Sequence, residues 1–218
     1  ITIEGFYDKV AMPSSAEREI VAAVPYDETA YCRDIGVPAV FGEPGYNTYE
    51  RSWLRPTVEV NGIWGGFQGE GTKTVLPSAA HAKISCRLVP DQDPEEIREM
   101  VALHLKAHSP KGATVSIQRI EASAAPYRIP HDHPGNRAAE IVHRALYGKA
   151  PYQIWMGGSI PFCGMMKRHL GSCTVNFAFG LNDEAVHAPN EFFRLKSFQM
   201  GQMAYGMLLA ELAGLSGP

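Results

Sequence analysis

The sequence predicts a mixed chain, α+β in its first half and α/β in its second: an incomplete ferredoxin-like layer followed by part of a layered α/β domain. Three observations carry this. Between residues 57 and 120 the patterns run strand, strand, helix, strand, a ferredoxin-like layer short of its first strand and helix. From residue 135 onward helical and extended patterns alternate, as they do in α/β domains. Residues 122–131, mostly small residues and prolines, lie between the two, and the expected division is 1–125 and 126–218.

The elements follow in order. Residues 1–3 alternate like the end of a strand, with no methionine before them, and are expected to belong to a longer protein. Ser14-Ser15-Ala16-Glu17 is a capping box opening a helix through Ala23, and a second helix fits residues 27–35, stopped by Gly36 with Pro38 beyond it. Residues 42–55, with Pro, Gly, Asn and aromatics, read as loop. Residues 57–60 and 81–89 read as strands. In the second, positions 82, 84, 86 and 88 are apolar and their neighbours mostly polar, the period of a half-buried strand that turns Arg87 away from the core.

Asp93 caps a helix with Pro94 at its first position, and Ile97, Met100, Val101, Leu103 and Leu105 give it an apolar face. Residues 114–120 alternate again. A helix is expected over 135–147, a strand near 153–156, a helix to His169, a buried strand over 173–179 and a long helix over about 195–212. Met200, Met203, Met207, Leu208 and Leu212 fall at helical spacing and read as packing residues.

The charge and composition exclude several functions. The chain has 23 acidic and 20 basic residues, intermixed, for a net charge of −3, and without a basic block nucleic acid is not expected as a partner. No apolar run reaches the roughly 20 residues that span a bilayer. Cys32, Cys86, Cys163 and Cys173 are far apart and form no Cys-x-x-Cys pair, so reduced thiols in a soluble, cytoplasmic protein are expected. The glycine-rich 62–71 lacks the G-x-x-x-x-G-K-[ST] order of a phosphate loop.

Three segments carry candidate chemistry. The strand at 173–179 ends at Gly180 and delivers His187 into a loop with Asp183, Glu184 and Glu191; a neutral imidazole in such a loop is either a solvated surface group or a metal ligand. Gly157-Gly158-Ser159 stands where a strand gives way to a helix, either a plain turn with Ser159 as N-cap or a carboxylate site made by backbone N–H groups and a hydroxyl. A serine nucleophile does not fit, because Gly-x-Ser-x-Gly is absent. Arg87 is either a solubilising charge or a planar fork for a carboxylate.

Asn182-Asp183-Glu184-Ala185-Val186-His187-Ala188-Pro189-Asn190-Glu191 resembles the last metal-ligand motif of the M20 family of dizinc peptidases and deacylases, nearest its dipeptidase branch. Gly42-Glu43-Pro44-Gly45-Tyr46, Asn61-Gly62-Ile63, Gly71-Thr72-Lys73-Thr74-Val75-Leu76-Pro77 and Ser85-Cys86-Arg87-Leu88-Val89-Pro90 resemble that family's lid, which is also its dimerisation domain. The resemblance implies that residues 1–125 are the later part of the lid with a helical insertion at the start. It also implies that 126–218 are the C-terminal half of a three-layer α/β catalytic domain.

By the same resemblance the parent enzyme holds two zinc ions and cleaves the amide bond of dipeptides or acylated amino acids. His187 is expected to ligate one ion. Arg87, Gly158 and Ser159 are expected to bind the substrate's carboxylate end, and Thr74 to reach the partner subunit's site across a lid homodimer; apart from the resemblance, His133 at a helix entry is either structural or a substrate contact. The family's His-x-Asp, bridging Asp, Glu-Glu base and Asp-x-His-Ser-Gly segments are absent, so no catalytic base lies in this chain and the chain alone is expected to be inactive. Ala122-Ser123-Ala124-Ala125 stands where the dipeptidase branch carries His-Gly-Gly, which leaves the exact substrate open. The alternative expectation is a non-catalytic dimerisation and ligand-binding module.

Overall fold

The computed structural model describes residues 1–120, 123–157, 160–181 and 183–215. The chain is mixed α/β. Its elements are α1 (Ser15–Ala23), α2 (Glu28–Ile35), α3 (Thr48–Leu54), β1 (Thr57–Gly65), β2 (Ala80–Arg87), α4 (Pro94–Ala107), α5 (Pro134–Tyr147), α6 (Pro161–Leu170) and α7 (Leu195–Leu215). Two compact units result, one of Ile1–Tyr127 with Ile154–Gly164, the other of Arg128–Gln153 with the chain from Met165 onward.

In the first unit the helix starts follow their caps. Ser14 and Glu17 form the expected capping box on α1, and Asp27 caps α2, which ends at Gly36 in the left-handed conformation. The expected loop at 42–55 contains α3 instead. Asn47 and Glu50 make a second capping box there, and such a cap offsets the poor helix propensity of Thr48 and Tyr49 by about 1 kcal/mol.

This helical segment is fastened by charge. Glu50, buried, accepts from Arg18 at 2.8 Å. Arg55, also buried, donates to both carboxylate oxygens of Glu43 at 2.9 and 2.7 Å and lies between the rings of Tyr7 and Tyr46. Gln92, just before α4, holds the N-terminal turn by donating to the Phe6 carbonyl while accepting from the Val89 backbone.

β1 and β2 pair antiparallel from Thr57↔Arg87 to Gly65↔Ala80, with a bulge between Val60 and Gly62. Gly65 has no room for a side chain, since a Cβ would lie 2.9 Å from the Ala79 carbonyl oxygen and the Ala80 Cα. The apolar alternation is present, but the face it defines is open: Val60 is 60% and Ile63 79% exposed. On α4, Ile97 and Ala102 are buried whereas Leu103 faces out.

The core of the second unit is Ala138, Ala139, Val142, Phe177, Ala204 and Leu208, with Leu146, Val175, Phe179, Met207 and Leu212 packed around it. Small residues on α5 and α7 let the 173–179 segment approach both helices. A Cβ on Gly135 would meet Val175 at 2.5 Å, and one on Gly201 would meet Phe179 at 3.3 Å. Of the methionine stripe, Met207 packs inward and Met203 is 53% exposed.

The strands expected at 1–3, 114–120, 153–156 and 173–179 form no ladder, and the sheet among the described residues has two strands. A strand is completed by a backbone neighbour as well as by its own pattern. Segment 173–179 has a strand's alternation, with Phe177 buried, Val175 and Phe179 half-buried and Asn176 and Ala178 exposed, but where a ladder would run, the Phe177 carbonyl accepts from the Tyr205 hydroxyl at 2.5 Å.

Candidate functional site

The loop after the 173–179 segment is built on one buried carboxylate. Glu184 is 1% exposed. Its Oε2 accepts from the Leu181 backbone N–H at 2.8 Å, and its Oε1 from the Arg194 backbone N–H and Nη1, both at 3.1 Å. Its backbone carbonyl accepts from Phe192 at 3.1 Å, closing the loop. Donors on every side, the Leu181 N–H foremost, hold the Glu184 carboxyl below its usual range.

Arg194 completes the frame by donating from Nη1 and Nη2 to Asp183 at 2.9 and 2.7 Å. That fork lowers the Asp183 carboxyl and raises the guanidinium. Inside the frame Ala185, His187 and Asn190 take left-handed backbone conformations, with φ of 52°, 61° and 64°. The His187 N–H donates to Glu191 Oε2 at 3.3 Å, and the imidazole side is exposed. Holding non-glycine residues there costs on the order of 1 kcal/mol each, which Glu184 and Arg194 offset by fixing both loop ends. Neither residue was singled out as an organiser by the sequence, because an Asp183/Glu184 to Arg194 pairing obeys no helical or strand period.

The donor set does not make a metal centre. His187 is one imidazole, Asp183 and Glu184 are engaged by Arg194, and among the described residues no group of three or more His, Cys, Asp or Glu could hold a metal ion. These residues fit a single ligand of a shared site, short of the closed set such a site requires.

In the first unit, β2 and α3 converge on the turn at Gly157. Arg87 Nη1 donates to the Gly157 carbonyl at 2.8 Å, seventy residues away in sequence, while its Nε lies 3.7 Å from Glu59 Oε1. Gly157 fits nothing larger, since a Cβ would sit 2.6 Å from the Ser52 carbonyl oxygen of α3. Arg87 is 54% exposed along its side chain, so the fork is held at Nη1 by Gly157, flanked at Nε by Glu59, and otherwise partly exposed. Gly158 and Ser159 lie outside the described residues.

Thr74 is exposed in the segment joining β1 to β2, where Val75 N–H donates to the Lys73 carbonyl. His133 is the N-cap of α5, and its Nδ1 accepts from the Gly135 N–H at 3.1 Å. An accepting Nδ1 leaves the neutral ring with its proton on Nε2, directed away from the helix as a donor. The four cysteines are free. No helix is long and apolar enough to cross a membrane among the described residues.

Residues 11–113 match the peptidase dimerisation domain of the M20 group. Over 99% of the chain, the sequence is 27% identical to the Cys-Gly metallodipeptidase dug1 of Schizosaccharomyces pombe and 26% identical to the human Beta-Ala-His dipeptidase, covering 46% and 43% of those proteins. Among solved structures, the M20 family metallo-carboxypeptidase Sso-CP2 from Sulfolobus solfataricus superposes with a TM-score of 0.81 at 28% identity, over 96% of this chain and 47% of that one. The chain thus spans less than half the length of these relatives.

Proposed function

We infer that this chain, a member of the M20 peptidase family, is the later lid and C-terminal catalytic portion of a zinc-dependent enzyme that hydrolyses dipeptides or acylated amino acids. The observation that carries the reading is the 2.8 Å bond from Arg87 to the Gly157 carbonyl. It sets a partly exposed guanidinium beside Gly157, which Gly158 and Ser159 follow in the sequence, and a cation beside backbone N–H groups suits a substrate carboxylate. Residues 1–125 serve as lid and residues 126–218 as the catalytic portion. His187 ligates one of two zinc ions, His133 offers its Nε2–H to substrate, and Thr74 reaches the partner subunit's site in a cytoplasmic homodimer.

The chain on its own is a ligand-binding and dimerising module. Among the described residues no group of three or more His, Cys, Asp or Glu could hold a metal ion, which supports that reading of the isolated polypeptide. The test is to assay Cys-Gly and β-Ala-His hydrolysis by the 218-residue chain and by the longer natural polypeptide, each with added zinc. Turnover is expected from the longer polypeptide only, and lost in its His187→Ala variant together with bound metal. Turnover by the short chain that His187→Ala leaves untouched would overturn the assignment.

A further inference from the structure

The C-terminal end of α4 carries two histidines that the peptidase reading does not use, His104 in the last turn and His108 at the C-cap. His104 and His108 stand four residues apart on one helix face, with ring centroids 4.1 Å apart and planes inclined by 33°. His108 Nδ1 lies 2.8 Å from the His104 carbonyl oxygen. A carbonyl only accepts, so Nδ1 carries the proton and the Nε2 lone pair of neutral His108 is turned outward. Histidine ligands are commonly oriented in this way, by donating their second N–H to a backbone carbonyl. The position favours a cation as well, because the carbonyls of a helix C-terminus carry partial negative charge.

We propose that His104 and His108 form a two-imidazole chelate for a borderline divalent cation such as Cu²⁺, Ni²⁺ or Zn²⁺, with water completing the coordination. His108 is held in the ligating tautomer by its own helix. His104, half-buried one turn earlier, lays its imidazole against that of His108 with centroids 4.1 Å apart, close enough for one ion to be shared at the roughly 2.0–2.1 Å that such metals require once the side chains rotate to face it. Imidazole-rich sites suit these ions over Mg²⁺ and Ca²⁺, which prefer oxygen ligands. The site is independent of His187 and of the peptidase assignment.

The test titrates the 218-residue chain with Cu²⁺ alone, followed by calorimetry and by paramagnetic broadening of the histidine ring resonances. The expected result is one ion whose binding broadens His104 and His108 together, is lost in both His104→Gln and His108→Gln, is kept in His187→Gln, and weakens as protons compete at lower pH. His104→Gln is the decisive variant, because it leaves the backbone carbonyl that orients His108 in place. Binding that survives His104→Gln, or that disappears only with His187→Gln, would overturn the chelate.

Discussion

Arg194 grips Asp183 with two parallel hydrogen bonds of 2.9 and 2.7 Å and reaches Glu184 with a third contact of 3.1 Å, so a single guanidinium fixes the loop that presents His187. Arg194→Ala should release the left-handed residues 185, 187 and 190, seen as faster amide exchange across 183–192, with α5 protection unchanged. Arg194→Lys should restore little, because a point charge cannot make the fork. Unchanged exchange in the loop would show that its shape is set elsewhere.

The same pairing sets a dependence on pH. Asp183 and Glu184 have folded-state values below the usual carboxylate range. The stability they contribute is present above the unfolded value of about 4 and is lost as pH falls through their lower folded values. His143, stacked on Tyr147 and Phe179 and edge-on to Phe177, has its imidazole pushed below its usual value by burial. Its contribution is complete above about 6.5 and is lost as pH falls from there toward its depressed folded value. Urea midpoints should therefore fall in two stages. His143→Leu should remove the upper one and Arg194→Gln should shrink the lower one.

Arg55 is buried against Glu43 and two tyrosine rings. Arg55→Ala leaves the carboxylate without its partner and should cost about 3 kcal/mol, the lower end for a broken buried pair because Glu43 keeps some solvent. Arg55→Met should cost less, since it restores apolar volume beside the rings. Equal losses in the two variants would assign the whole effect to the broken ion pair and none of it to packing against the rings.

Much of this was legible from the chain. Caps at Ser14, Asp27 and Asp93 obeyed local rules and gave α1, α2 and α4. The Asn47/Glu50 box marked α3 by the same rule but was obscured by the surrounding Gly, Pro and aromatic residues. Ladders at 114–120 and 173–179 were not determined by alternation, because pairing depends on a neighbouring strand. The Arg87–Gly157 contact joins residues seventy positions apart, and no sequence period predicts a turn meeting a strand. Each end of that bond lies in a motif of its own, and the Ser52 carbonyl oxygen, 2.6 Å from where a Cβ would stand, explains why residue 157 is glycine.

Val60, Ile63 and Trp64 leave apolar area uncovered on β1, a liability that a lid removes by pairing with a second copy. Light scattering should show a dimer whose fraction rises with concentration. Ile63→Asp should shift it to monomer without altering the melting of the 173–179 core. A monomer at all concentrations would contradict the lid assignment.

The most direct test of the carboxylate corner compares a dipeptide with its C-terminal amide as substrates of the complete enzyme and its Arg87→Ala variant. If Arg87 and the turn at Gly157 hold the substrate carboxylate, Arg87→Ala should lower kcat/KM for the acid by about 100-fold or more, a loss of positioning. Metal content should be unchanged, and the amide should react at nearly the same slow rate in both proteins. Equal loss on the acid and the amide would contradict the account, making Arg87 a residue that only holds the turn in place.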